Sequence, residues 1–239
     1  PICFDSTFPN CGKAGTRSAP LGLSCSTTES SARPAPSAAA PPKSYGSFMH
    51  SADSISIAGR PVGAGSPCFV IAEVGINHGG DERRCAEMIA AAAEAGADAV
   101  KLQTVTPDES YHPETESYRA FRHSVLPRAA MERLMEYART RNTILFSTPG
   151  DPTALRLLIE LGMPAIKISS GLMTNLPLIE RAAKSGKPLI ISTGMARFDE
   201  VGEAVAAARG AGCRELALLQ CTSLYPAPAG TLNLRAMEA

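Results

Sequence analysis

From Phe69 onward, strand-like and helix-like stretches alternate with little between them, and this alternation narrows the possible folds more than any single motif. Short apolar runs read as strands near Phe69–Val74, Ala99–Gln103, Thr143–Ser147, Ala165–Ser169, Pro188–Ser192 and Glu215–Gln220. Helical segments read near Asp81–Ala95, Arg128–Arg141, Pro152–Leu161, Leu176–Ser185 and Phe198–Ala211. Gly96, Gly162, Gly186 and Gly212 stand where helices should stop, and Asp81, Asp151 and Asn175 stand where capping side chains start them. Strict βα alternation requires an α/β fold with a parallel sheet, either a closed barrel or an open doubly wound sheet. Six strands fit the open sheet and fall two short of the eight of a barrel, so counting leaves both in play. One connection, Thr104 to Pro127, is long and carries Pro107, His112, Pro113 and two tyrosines; it reads as a functional loop or lid.

Ahead of this region the chain changes character. Residues 1–52 are rich in Ser, Ala and Pro without helical or strand periodicity and are expected to be a disordered low-complexity tail, leaving 53–239 for the barrel-like part. Ser54–Gly63, with Ile55 and Ile57 alternating before Gly59, suggests a small hairpin. The 23 basic and 23 acidic residues balance, so no charge points to nucleic acid or an anionic membrane, and no apolar run approaches a bilayer span. Seven cysteines, an odd number without metal-type spacing, argue against a disulfide framework or a structural zinc. Cys68, Cys85, Cys213 and Cys221 read as small apolar residues of a cytoplasmic protein.

Polar residues inside the apolar runs tip the choice of fold and indicate a site. The strand period of two puts Lys101 and Gln103 on one face of Ala99–Gln103, and Lys167 and Ser169 on one face of the next lysine-bearing strand. An unpaired ammonium in a sheet core costs several kcal/mol, so each lysine needs a partner, and a shared anion would serve both. Hydroxyls gather at the other strand exits: Ser147-Thr148, Ser170, Ser192-Thr193 and Thr222-Ser223. In a parallel barrel these exits converge on one mouth and would form a phosphate or carboxylate pocket. Taken singly, a lysine could instead snorkel to water and a serine merely cap a helix. The first strand exit adds Glu73, Asn77 and His78, with His78 an accessory, structural hydrogen bonder.

Six ordered motifs carry a family resemblance: Phe69-Val-Ile-Ala-Glu-Val-Gly-Ile-Asn-His-Gly79, Gly96-Ala-Asp-Ala-Val-Lys-Leu-Gln103, Phe146-Ser-Thr-Pro149, Ile166-Lys-Ile-Ser-Ser-Gly171, Ile191-Ser-Thr-Gly-Met195 and Leu219-Gln-Cys-Thr-Ser-Leu-Tyr-Pro226. Together they resemble the strand motifs of the N-acetylneuraminate (sialic acid) synthase family. The resemblance implies a (β/α)8 TIM barrel, here incomplete with about six βα units. It also implies a transferase that condenses phosphoenolpyruvate with N-acetylmannosamine, or a related amino sugar, to a nine-carbon 2-keto sugar acid and phosphate. On this resemblance Lys101, Lys167, Ser170, Ser192 and Ser223, with Thr148 close by, would hold phosphoenolpyruvate. Glu73 and Gln103 would face the amino sugar and the reacting centre, and Tyr225 would contact the sugar.

The family also implies a divalent metal, Mn or Mg, and a homodimer for the full-length protein. None of His50, His78, His112 and His123 matches the metal-ligand histidines, which are expected beyond residue 239, so no metal ligand is assigned. Leu172 stands where the family usually has an acid, Gly150 where an aromatic is frequent, and Gln220 where His is common. These departures keep an alternative open: a truncated, non-catalytic barrel that binds a phosphorylated or carboxylated ligand, or a partner subunit.

Overall fold

The computed structural model describes residues 54–238, so the low-complexity segment 1–52 lies outside the described residues. The chain enters through an antiparallel hairpin, β1 (Ser54–Ile57) and β2 (Arg60–Gly63). Its two-residue turn holds Ala58 and Gly59 at φ 52° and 82°, the left-handed pair that matches the strand twist. Then follow β3 (Ile71–Gly75), α1 (Glu82–Glu94), β4 (Ala99–Thr104), α2 (Pro107–Ser110), α3 (Glu116–His123), α4 (Arg128–Thr140) and β5 (Ile144–Pro149). The chain continues through α5 (Pro152–Glu160), β6 (Ile166–Ile168), α6 (Leu176–Ala183), β7 (Leu189–Ser192), α7 (Phe198–Gly210) and β8 (Leu216–Leu219).

The last six strands form one parallel sheet in the order β3-β4-β5-β6-β7-β8. An unbroken sequential order is the arc of a βα barrel, because a doubly wound sheet reverses its strand order partway. The fold is therefore a TIM-like partial barrel of six strands. The expected caps hold: Asp81, Asp151 and Asn175 accept the Arg84, Ala154 and Leu178 amides at the starts of α1, α5 and α6. The four helix-ending glycines all have positive φ.

Burial grades across the arc. In β7 every residue is buried, as are Ala99–Leu102 of β4, whereas β8 at one margin is half-exposed with Leu218 at 44%. Apolar side chains such as Ile89, Leu134, Leu158 and Ile179 fill the helix–sheet layer. The hairpin lies across the N-terminal end of the sheet. Ile55 and Ile57 are buried, the Ser56 amide donates to Glu215 just before β8 (2.7 Å), and Arg60 pairs with Asp98 just before β4 (2.6 Å). Asp98 also accepts the Val70 amide at 2.7 Å, so the floor is tied to both margins of the arc.

The segment expected as a loop, Thr104–Pro127, contains helices α2 and α3. Pro107 starts α2, and the Thr115 hydroxyl accepts the Tyr118 amide at 3.1 Å to start α3. The two are joined by the Tyr118 hydroxyl donating to Asp108 (2.6 Å) and by Tyr111 stacked on Phe121, while Arg122 within α3 donates to that same hydroxyl (2.7 Å). At its far end the segment crosses Gly80 so closely that a Cβ there would collide with the His123 carbonyl, which explains the second glycine of the Gly79-Gly80 pair.

Candidate active site

The C-terminal ends of the strands hold the buried polar groups. Parallel register sets Glu73 beside Lys101, and Gln103 beside Thr148. Lys101 is 2% exposed, and its ammonium meets the Glu73 carboxylate at 2.7 Å and the Thr148 hydroxyl at 2.9 Å. The partner that a buried lysine requires is thus supplied by the neighbouring strand, which refines the expectation that a bound anion alone would balance it. Lys167 is buried on β6 between Ile166 and Ile168, with Ile190 of β7 as its register partner.

A second group of hydroxyls gathers around Gly194, just past β7. The Gly194 amide donates to the Ser170 oxygen at 3.1 Å. A Cβ at Gly194 would lie only 2.7 Å from the Ser223 oxygen and 2.8 Å from the Ser170 oxygen, so both hydroxyls press on the space that glycine leaves. Ser192 is 2% exposed, and its hydroxyl has no hydrogen-bond partner among the described residues; Gln103 Oε1 is likewise buried without one. Buried polar atoms left without a partner are uncommon and mark positions able to meet a ligand.

Between these groups and the α2–α3 segment lies a cavity of about 470 Å³, lined by Gln103, Thr148, Ser169, Leu172 and, from the outer side, Glu109, Tyr111 and Asp151. Asp151 is buried. Besides capping α5 it accepts the Thr106 amide at 2.6 Å and the Ser110 hydroxyl at 3.1 Å, fastening α2 to the β5–α5 turn. The Thr153 hydroxyl donates to Glu109 at 2.7 Å across the same seam. Burial and the nearby Asp151 charge push the Tyr111 phenol above its ordinary range, so it remains a protonated donor.

Of the residues expected at the site, Glu73, Lys101 and Thr148 form one cluster, Ser170 and Ser223 form another, and Gln103 lines the cavity. Tyr225, two residues past Ser223, is 57% exposed. His78 is buried, with Nδ1 accepting the Gly80 amide at 3.1 Å; burial lowers its pKa, the Gly75 backbone opposing in part. That is the structural role expected of it. Glu109, Tyr111 and the second role of Asp151 went unread in the sequence. Pro107-Asp-Glu, a proline followed by acids, was the available sign of a helix start there. Among the described residues no group of three or more His, Cys, Asp or Glu could hold a metal ion.

Buried lysines and hydroxyls toward the C-terminal mouth of a six-stranded βα arc mark the chain as a TIM-like α/β protein, whose sites lie at that end of the strands. The chain belongs to the NeuB family, whose model matches residues 88–239. It is 40% identical over 186 residues to uncharacterized protein MJ1065 of Methanocaldococcus jannaschii, covering 78% of this chain and 55% of that one. It is 36% identical over 197 residues to the N,N'-diacetyllegionaminic acid synthase of Legionella pneumophila, covering 75% and 55%. Among solved structures, the N-acetylneuraminic acid (sialic acid) synthetase of Leptospira borgpetersenii, in complex with citrate, superposes with a TM-score of 0.74 at 33% identity, over 80% of this chain and 66% of that one. The chain spans about half the length of the curated relatives it matches. Among the described residues no helix is long and apolar enough to cross a membrane.

Proposed function

We propose that this chain is the phosphoenolpyruvate-binding part of a synthase that joins phosphoenolpyruvate to an N-acetylated amino sugar, such as N-acetylmannosamine, giving a nine-carbon 2-keto sugar acid and phosphate. The observation that carries the reading is the convergence of Ser170, Ser223 and the Gly194 amide near the unpartnered Ser192 hydroxyl, on the same strand ends that bury Lys101 and Lys167. Cations and donors in that arrangement suit a phosphate and a carboxylate together.

Phosphoenolpyruvate is a weak carbon nucleophile. Its C3 would attack the aldehyde carbon of the open-chain sugar, and charge would develop at C2 and on the aldehyde oxygen. In this reading Lys101, Lys167 and the hydroxyls fix the phosphate and carboxylate. Glu73, paired with Lys101, and Gln103 face the amino sugar and the reacting carbons, so both reactants are aligned before charge develops. Water then adds at C2, and the resulting phosphohemiketal loses phosphate by C–O cleavage. Tyr225 contacts the sugar in this reading. The reading extends to a cytoplasmic homodimer for the full-length protein, and the free cysteines at 68, 85, 213 and 221 fit a reducing compartment.

Leu172, an apolar residue in the cavity wall where the family usually has an acid, favours a second reading in which the chain binds such a ligand without turnover. Phosphate release from phosphoenolpyruvate and N-acetylmannosamine with manganese separates the two. Release above blank supports the synthase, and saturable binding without release from folded protein supports the binder.

A further inference from the structure

We infer that the cavity beneath α2 receives the hydroxylated tail of the acceptor sugar, and that the carboxylates of Glu109 and Asp151 select an acceptor without a phosphate. This rests on the synthase reading above and adds the acceptor class. At about 470 Å³ the cavity is of a size for one small ligand. Thr148 forms part of its wall and also accepts a hydrogen bond from Lys101, so the cavity wall adjoins the side of the site that buries that lysine. Among the described residues its charged lining consists of Glu109 and Asp151, with neither Lys nor Arg in the wall. Arg156 lies close in sequence, but its guanidinium donates to the Thr153 hydroxyl and it is not part of the wall.

The site therefore has one side that buries Lys101 and Lys167, suited to phosphoenolpyruvate, and beside it a cavity beneath the helical segment whose charges are carboxylates. A second phosphate in that cavity would face like charge. Sugar hydroxyls would meet what is there: the acceptor oxygens of Glu109, the unpartnered Oε1 of Gln103, and the protonated Tyr111 phenol as donor. Asp151 accepts the Thr106 and Ala154 amides and the Ser110 hydroxyl, so it contributes field more than contact, whereas Glu109 is exposed and accepts the Thr153 hydroxyl.

The test is calorimetric titration of the chain, saturated with phosphoenolpyruvate, with N-acetylmannosamine and with its 6-phosphate. The unphosphorylated sugar should bind at least tenfold more tightly. Glu109→Lys should shift that ratio toward the phosphate by about tenfold. Glu109→Gln, which keeps an acceptor for Thr153 but removes the charge, should shift it the same way by less, with the thermal midpoint as a folding control. Equal or tighter binding of the 6-phosphate, binding of neither sugar, or a ratio indifferent to both substitutions overturns the inference. If phosphoenolpyruvate itself fails to bind, the synthase reading falls and the inference with it; if phosphoenolpyruvate binds and only the sugar preference is reversed, the inference alone falls.

Discussion

At the N-terminal end of the sheet, Asp98 holds Arg60 and the Val70 amide, and Glu215 holds the Ser56 amide. At the C-terminal end, the Ser192 hydroxyl and Gln103 Oε1 are buried oxygens that no described residue hydrogen-bonds, and Gly194 leaves room between Ser170 and Ser223. Both ends carry polar groups on the same six-stranded arc. At the floor those groups tie the hairpin to the sheet, while at the mouth hydrogen-bonding capacity is left over. Polar groups in the first state report on stability, and those in the second report on a ligand.

The Glu73–Lys101 pair belongs to both descriptions, and breaking it is the severest challenge to the comparison. Glu73→Ala leaves a lysine 2% exposed without its carboxylate and should lower stability by about 3–5 kcal/mol in chemical denaturation. A loss below about 1 kcal/mol would mean that the pair is not buried as described. Next in size, Lys167→Ala at the mouth should weaken phosphoenolpyruvate binding by roughly 2–4 kcal/mol, read by calorimetry. At the floor, Asp98→Ala removes two charge-assisted hydrogen bonds that are partly open to solvent and should cost about 1–2 kcal/mol of stability while leaving phosphoenolpyruvate affinity unchanged.

The smallest effect is in the pH profile. Burial lowers the pKa of His78 below its ordinary 6.5, so the folded state favours the neutral ring. Its stabilising contribution is fully present above the unfolded pKa and is lost as pH falls through that value toward the lower folded one. His78→Gln should flatten stability against pH in this window; a native profile already flat there would contradict the assignment.

Much of the frame was legible because it is written in short-range chemistry. The caps at Asp81, Asp151 and Asn175, the glycine stops and the apolar strand runs each depend on neighbours within a few residues. Strand period also revealed that Lys101 and Lys167 are buried. It could not name Glu73 as the partner of Lys101, because that contact depends on β3–β4 register across 28 positions of sequence. Helices α2 and α3 escaped notice for a similar reason. Each is too short to show a clear period, and Tyr118 on Asp108 and Tyr111 on Phe121 hold them through tertiary contacts. The carboxylate lining of the cavity follows from that fold and was hidden along with it. Alternation alone left barrel and doubly wound sheet open; the polar residues in the strands and the family resemblance favoured the barrel, and the sequential strand order bears that out.

The most direct test compares the two ends with one ligand. Phosphoenolpyruvate is titrated by calorimetry into the native chain, Lys167→Ala and Asp98→Ala. The account predicts saturable binding to the native chain, unchanged affinity in the floor variant, and a loss of about 30-fold or more in the mouth variant, the lower end of the 2–4 kcal/mol range. Equal affinity in all three, or no saturable binding to folded native protein, would contradict the claim that the mouth of this arc is an anion site.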